Sequence, residues 1–158
     1  MTPSIETSSE KKLVGIRLNM SLANNRIGEL WRSFMPMRSE IPNNLTSDLI
    51  SLVVYKPTHF ADFKLTNEFE RWAAVEVANF ENVPVGMETF VLPEGQYAVF
   101  HYKGLSTDNS IFQYIFGTWL PGSEYLLDDR PHFEVLGDKY KNNDPASEEE
   151  IWIPIQPK

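Results

Sequence analysis

The 158-residue chain contains 42% hydrophobic and 23% charged residues, a balance typical of a folded globular protein rather than a disordered one. Its formal net charge of -8 argues against binding to a phosphate backbone, because nucleic-acid binders present a basic face. The chain has no cysteine, which excludes disulfides and thiolate metal sites, and its three histidines do not have metal-ligand spacing. We therefore predict neither a metal site nor a cofactor.

The polar start of the chain lacks the apolar core of a signal peptide. We predict a flexible tail over residues 1–10, followed by one domain over residues 11–158. No stretch approaches the roughly 20 apolar residues that cross a bilayer. The default expectation is a cytoplasmic protein that binds neither DNA nor a membrane directly.

The first half of the chain shows a strand, a helix and two more strands. A strand-like run at residues 11–19 precedes an amphipathic pattern over residues 24–36, which has Asn24 as a candidate N-cap and stops at a proline. Two further strand-like runs follow, at residues 49–56 and 70–77. The order is therefore β-α-β-β.

The second half repeats this order after an additional strand predicted from Met87 to Leu92. A run at residues 96–104 is followed by a helical pattern over residues 107–121, which also ends at a proline. The last two runs lie at residues 132–138 and 149–155, and the acidic stretch between them reads as a solvated loop.

A short motif supports an internal duplication. Residues 70–75 and 150–155 both read E-x-W-x-x-V/I at the last strand of their half. We interpret the halves, at about 11–80 and 83–156, as repeats related by pseudo-twofold symmetry. The expected class is α+β, an antiparallel sheet with two main helices on one face and a ligand groove on the other.

Strand alternation predicts which side chains face away from the helices, because successive residues point to opposite sides of a sheet. The sets predicted for the helix side are Ile50, Leu52 and Val54; Ala73, Val75 and Val77; Phe133 and Val135; and Ile151, Ile153 and Ile155. The residues predicted on the opposite, open face include Trp72, Trp152, Tyr55, Glu76 and Glu134.

A face that is both acidic and aromatic suits a lipophilic organic cation. Aromatic rings attract a cation through their π faces, and a carboxylate shielded by rings attracts it more strongly than one in open water. Simpler roles stay open: the tryptophans could close a seam between sheets, Tyr55 could pack within its strand, and the glutamates could be solvated strand charges.

Four segments of the second half resemble a known family when taken in order: the strand "YAVFHYKG", the helix end "TWLPG", the segment "PHFEVL" and the terminus "EEIWIPI". The chain resembles the gyrase-inhibitor-like (GyrI-like) small-molecule-binding domain, which also serves as the effector-binding domain of AraC-type and MerR-type multidrug regulators. The resemblance runs from about Lys12 to Ile155. It also extends to stand-alone versions carried on integron cassettes.

The resemblance implies a fold and a site. Family members have two βαββ repeats about a pseudo-twofold axis, and the glutamate of their F-E-V strand neutralises lipophilic cationic drugs among aromatic side chains. That glutamate corresponds to Glu134, the aromatic of the terminal strand to Trp152, and its first-half counterpart to Trp72. This chain has Leu136 and Trp152 where tyrosine is usual, so the ligand preference of relatives does not transfer.

Three functions are compatible with the sequence. The first is a stand-alone, non-enzymatic module that binds hydrophobic organic cations, with Glu134 as counter-ion, Trp72, Trp152 and Tyr55 as walls, and Glu76 as a further acid. The second is a small-molecule hydrolase with Glu134 as general base beside Tyr55. The third is a protein-interaction module of the gyrase-inhibitor type, with a protein partner or a homodimer.

Overall fold

Nine strands and two short helices make up the computed structural model, which describes residues 1–158. The strands are β1 (Ser4–Ser8), β2 (Lys11–Met20), β3 (Leu49–Val54), β4 (Phe69–Val77), β5 (Glu88–Leu92), β6 (Gly95–Lys103), β7 (Tyr125–Leu127), β8 (His132–Leu136) and β9 (Glu148–Pro157). The helices are α1 (Ile27–Phe34) and α2 (Ser110–Tyr114). Neither is long enough to span a bilayer. The predicted α+β class is confirmed.

The strands pair in the order β1-β6-β9-β8-β3-β4-β2-β5, with β7 beside β9, and every pair is antiparallel. From the central β3–β8 pair, the sheet runs outward through β4, β2 and β5 on one side and through β9, β6 and β1 on the other. Thus β1 pairs with a strand of the second half, and β5 with a strand of the first. The β-α-β-β order occurs in β2, α1, β3 and β4, whereas the second half adds the short β7 between α2 and β8, and the duplication itself stays an interpretation.

The prediction of a flexible tail over residues 1–10 is corrected by β1. Ser4–Ser8 pair with β6 in a register that runs from Ser4 opposite Val99 to Ser8 opposite Gly95. The partner strand lies some ninety residues away in the sequence, so local composition could not show the pairing.

Helix α1 begins at Ile27 with Arg26 as its N-cap, two residues after the predicted cap Asn24. The Oδ1 of Asn25 accepts a hydrogen bond of 2.9 Å from the backbone N–H of Ile27, and no side chain of Asn24 takes part. Leu30 and Phe34 are fully buried against the sheet. A 3-10 turn over Met35–Glu40 follows, because proline near its start has no N–H to extend the α-helical ladder.

Helix α2 is shorter than the predicted helix over residues 107–121. It begins at Ser110 with Asn109 as its N-cap, later than predicted, and the Oδ1 of Asp108 accepts a 2.9 Å hydrogen bond from the N–H of Ser110. After Tyr114 the chain continues as a π-type turn over Ile115–Trp119. Ile111 and Ile115 are buried and attach this segment to the sheet.

Three apolar clusters form the core, and two lie under the helices. The cluster under α1 contains Ala73, Val75 and Val77, and the cluster under α2 contains Ile151, Ile153 and Ile155, as predicted for β4 and β9. The third cluster consists only of strand residues, among them Leu13, Leu52, Trp72, Tyr97 and Phe133. Because strands as far apart in the sheet as β2 and β6 contribute to it, the sheet must curve around this cluster.

The predicted facing of the two central strands is wrong. Leu52 lies opposite Trp72, and Phe133 lies opposite Trp152, so Ile50, Leu52, Phe133 and Val135 belong to the third cluster, away from the helices. Directly opposed residues of antiparallel strands share a face. Both alternations of "LISLVV" are apolar, and both faces of the sheet are buried, so the pattern alone could not set its phase.

Candidate ligand-binding site

A groove crosses the helix side of the sheet over the central strands. Glu134 of β8 lies opposite Ser51 of β3 and opposite Ile151 of β9, so all three side chains point to this side. The α2 segment forms one wall through Phe112 and Phe116. Other residues that line the groove are Val53, Tyr55, Arg71, His132 and Ile153. Phe133 and the predicted site residue Trp152 also border it, although the two lie opposite each other on the alternation of β8 and β9 that does not include Glu134.

Aromatic rings fill the mouth of the groove. The ring of Tyr55 lies 4.4 Å from that of His59, 4.9 Å from that of Phe60 and 4.8 Å from that of His132, measured between centroids. Phe60 belongs to the loop between β3 and β4 and reaches across to Phe116, with centroids 5.3 Å apart. The remaining cavity measures about 30 Å³. Ligand pockets usually measure roughly 300–1,000 Å³, so an organic ligand requires these rings to move.

Glu134 is half-buried in this groove and forms no ion pair. None of the ion pairs in the protein includes it. The guanidinium of Arg71 shares the groove, but its Nη1 donates to the Ser51 hydroxyl at 3.2 Å, and its Nε is buried without an acceptor. The carboxylate of Glu134 is therefore free to serve as the counter-ion of a bound cation.

Burial changes the titration of the groove. It lowers the pKa of His132 to about 3, and the nearby charges of His59, Arg130 and Arg71 act in the same direction. Burial also raises the pKa of the Tyr55 phenol, against the effect of Arg71 and with that of Glu134. His132 is thus neutral at pH 7 and contributes an uncharged ring to the groove.

Glu149 is a second carboxylate of this region that sequence reasoning missed. It lies on β9 two residues before Ile151, and therefore on the same face as Glu134. Burial, followed by the charge of Glu134, raises its pKa well above the usual range. The sequence placed it at the start of the predicted strand over residues 149–155, and continuing the alternation of that strand back from Ile151 would have identified it.

Glu149 also borders a larger cleft where β6 and β8 end and β9 begins. The cleft measures about 410 Å³ and is open and polar. Its lining includes the carboxylates of Asp48, Asp138, Glu148, Glu149 and Glu150, together with His101, Lys103 and Lys139. Glu149 therefore neighbours Glu134 on one face of the sheet and also lines the acidic cleft.

The structure separates the residues that the sequence grouped on one face. Glu134 and Tyr55 come together in the groove. Trp72 is 3% exposed and lies on the opposite face, where its ring packs 5.3 Å from that of Phe90. Glu76 lies on the same face as Trp72, since it is opposite Leu13 of the third cluster. It forms an ion pair with Lys11.

Trp152 is the second tryptophan that faces away from Glu134. Its ring stacks on Phe133 with centroids 5.1 Å apart, and its indole N–H donates to Glu150 at 3.1 Å. Trp72 makes the equivalent bond to Glu70 at 2.9 Å. In both copies of the E-x-W motif, the indole N–H therefore donates to the glutamate two residues before it.

The chain matches the family of integron-associated effector-binding proteins over residues 4–155. It therefore belongs to this family of effector-binding domains, and the resemblance to GyrI-like domains is confirmed. Among curated proteins, the transcriptional regulator BrlR of Pseudomonas aeruginosa is 29% identical over 148 residues. The match covers 90% of this chain and 51% of BrlR, so the chain spans about half the length of that relative.

Solved structures show the same fold at low sequence identity. The structure of SAV2435 bound to tetraphenylphosphonium superposes with a TM-score of 0.73 at 16% identity, covering 99% of this chain and 94% of SAV2435. An integron cassette protein of Vibrio cholerae gives a TM-score of 0.67 at 15% identity, with 98% and 96% covered. These likenesses support the α+β effector-binding fold.

Proposed function

We propose that this protein binds hydrophobic organic cations in the groove over β3, β4, β8 and β9, without chemical turnover. The single observation that carries the proposal is Glu134, a half-buried carboxylate beneath aromatic rings that has no ion-pair partner. A half-buried carboxylate that forms no direct ion pair gains from contact with a cationic ligand. The tetraphenylphosphonium complex of SAV2435 supports this ligand class.

The walls of the proposed site differ from those predicted. Tyr55, Phe60 and Phe116 supply rings on the side of Glu134, whereas Trp72 and Trp152 lie in the third cluster. Each ring over a cation contributes about 0.5–2 kcal/mol, and burial of the hydrophobic part of the ligand adds to this. A flat lipophilic cation therefore gains from the rings and from the carboxylate together.

The test is calorimetric titration with tetraphenylphosphonium chloride and with its uncharged analogue triphenylphosphine oxide. We expect Glu134→Gln to weaken binding of the cation at least tenfold, or about 1.4 kcal/mol, while it leaves the neutral analogue unaffected. Glu150→Gln is the matched control, because Glu150 points to the opposite face beside Trp152. Equal effects of Glu134→Gln on both ligands would contradict the counter-ion role.

The hydrolase alternative would use the same two residues, Glu134 and Tyr55. It is tested by incubating the protein with a panel of electrophilic esters and epoxides. Product formation that depends on the protein and disappears in Glu134→Gln would replace the binding proposal, whereas we expect no turnover.

A further inference from the structure

Two carboxylates on neighbouring strands lie on the same face of the sheet, Glu134 in the groove and Glu149 beside it. Glu134 on β8 pairs with Ile151 on β9, and Glu149 lies two residues before Ile151 on the same side. Neither carboxylate takes part in an ion pair. The Oε2 of Glu149 is buried and accepts no hydrogen bond. Two adjacent ionised carboxylates in this setting would repel each other, and neither has an ion pair that offsets the repulsion.

The groups that face this pair are few. From β4 comes the guanidinium of Arg71, from the end of β3 the phenol of Tyr55, and from β8 the neutral ring of His132. From β6 comes Tyr102, whose hydroxyl donates to the carbonyl of Leu105 and has Asp108 nearby. Asp48, Lys103, Lys139 and Glu148 lie on the side of the cleft. Arg71 is thus the one cation within the groove itself.

We propose that Glu134 and Glu149 hold one proton between them in the empty groove, and that an organic cation binds in exchange for this proton. The inference rests on the proposed function, because it describes how that same site accepts its ligand. No bond other than that of the proton to the carboxyl oxygen breaks, and the proton passes to the solvent.

Charge balance in the groove favours this exchange. In the empty groove, the negative charge of Glu134 balances Arg71, and protonated Glu149 adds none. After exchange, two carboxylates balance Arg71 and the ligand cation. The net charge is therefore zero in both states, whereas binding without proton release would leave one uncompensated positive charge at low dielectric constant.

The position of Glu149 gives the proton a route to water. Glu149 lines the open acidic cleft as well as neighbouring Glu134, so its carboxyl group connects the closed groove with the solvent. The high pKa of Glu149, caused by burial and by Glu134, agrees with the shared proton.

The test is calorimetry of tetraphenylphosphonium binding in phosphate and in Tris buffer, whose protonation enthalpies differ. Tetraphenylphosphonium carries a permanent charge and cannot itself release a proton. We expect release of about one proton per bound cation, and an affinity that rises about tenfold per pH unit between roughly pH 6 and 8. Binding without proton release and with a flat pH dependence would overturn the exchange but leave the proposed function standing.

The variant Glu149→Gln separates the exchange from simple binding. We expect it to bind tetraphenylphosphonium without proton release, with an affinity that is independent of pH and lower than that of the unaltered protein at pH 8. Glu148→Gln is the matched control, because its side chain is exposed on the opposite alternation of β9, and it should release the proton normally. Proton release that persists in Glu149→Gln contradicts the proposal.

Two further measurements test the exchange without depending on whether Glu149→Gln folds. In the unaltered protein, carboxyl carbon NMR should show one carboxyl group that titrates well above the usual range and becomes ionised at pH 7 when tetraphenylphosphonium saturates the site. Arg71→Gln should abolish proton release and increase affinity, since the groove then lacks the cation that balances Glu134. Absence of binding at every pH in the unaltered protein would overturn the exchange and the proposed function together.

Discussion

The ring of His132 meets the ring of Tyr55 edge-on, with centroids 4.8 Å apart and planes inclined by 78°. This contact holds the imidazole in an apolar setting. Its pKa falls there to about 3, because a ring buried away from water is costly to protonate. The unfolded chain, with a histidine pKa near 6.5, binds the proton first as the pH falls. The contribution of the neutral, buried His132 to the free energy of unfolding is therefore present above pH 6.5. It is lost progressively as the pH falls toward 3.

We expect His132→Phe to flatten this part of the pH profile. In the unaltered protein the His132 contribution should fall by about 3 kcal/mol between pH 6.5 and 4. Urea unfolding at a series of pH values measures it. The control His101→Phe replaces a histidine that is 76% exposed and should leave the steepness of the profile unchanged. An identical profile for His132→Phe and the unaltered protein would contradict the prediction.

Phe60 should limit the rate at which a ligand enters the groove. Its ring is 38% exposed and connects the β3–β4 loop to Phe116, so its removal opens the mouth of the cavity without emptying the core. We expect Phe60→Ala to increase the association rate of tetraphenylphosphonium severalfold, because the closed groove must open before binding. Stopped-flow fluorescence measures the rate. Leu65→Ala, in the same loop and 60% exposed, serves as the control. Unchanged association in Phe60→Ala would show that the ligand enters elsewhere.

Trp72 should matter for stability and not for ligand binding. It is 3% exposed in the third cluster and donates its indole N–H to Glu70. We expect Trp72→Phe to lower the free energy of unfolding by about 1–3 kcal/mol while it leaves the affinity for tetraphenylphosphonium unchanged. Thermal unfolding and calorimetry measure the two effects. A loss of affinity as large as that of Glu134→Gln would instead place Trp72 in the site.

Gly15 is required by the close approach of β2 to β4. A Cβ at this position would overlap the carbonyl oxygen of Ala73 and crowd Ala74, and both are parts of a neighbouring strand that cannot move aside. We expect Gly15→Ala to lower the free energy of unfolding by about 3 kcal/mol. Gly117→Ala is the control, since a Cβ there meets open space, and it should be neutral or slightly stabilising. Equal stability of the two variants would contradict this packing.

Much of the fold could be predicted from the sequence, because its signals are local. Seven of the nine strands were predicted, namely the six of the two repeats and β5, and so were both helices. The signals were the periodic runs, the two prolines that follow the helices and the repeated E-x-W motif. The three-residue strand β7 and the edge strand β1 were missed, since each depends on pairing with a distant strand rather than on its own composition.

The site was only partly predictable, for a different physical reason. The alternation of residues assigned the side chains of β4 and β9 to the correct faces of the sheet. It assigned those of β3, which is apolar on both faces, and of β8 to the wrong faces. For this reason the prediction that Trp72, Trp152 and Glu134 share one face is wrong. Strand alternation and the resemblance to a family both pointed to Glu134, which shares the groove with Tyr55, whereas the closeness of Glu149 to Glu134 depends on the register of β8 with β9.

The exchange of edge strands between the two halves has a consequence for how the chain can be divided. A cut in the turn between β4 and β5 leaves β1 on one fragment with its only partner, β6, on the other, and separates β5 from β2 in the same way. The central β3–β8 ladder is also split. Neither fragment can complete its hydrogen bonding alone, so the two pieces form an interlocked pair that regains its sheet, and the groove between them, only by reassembly.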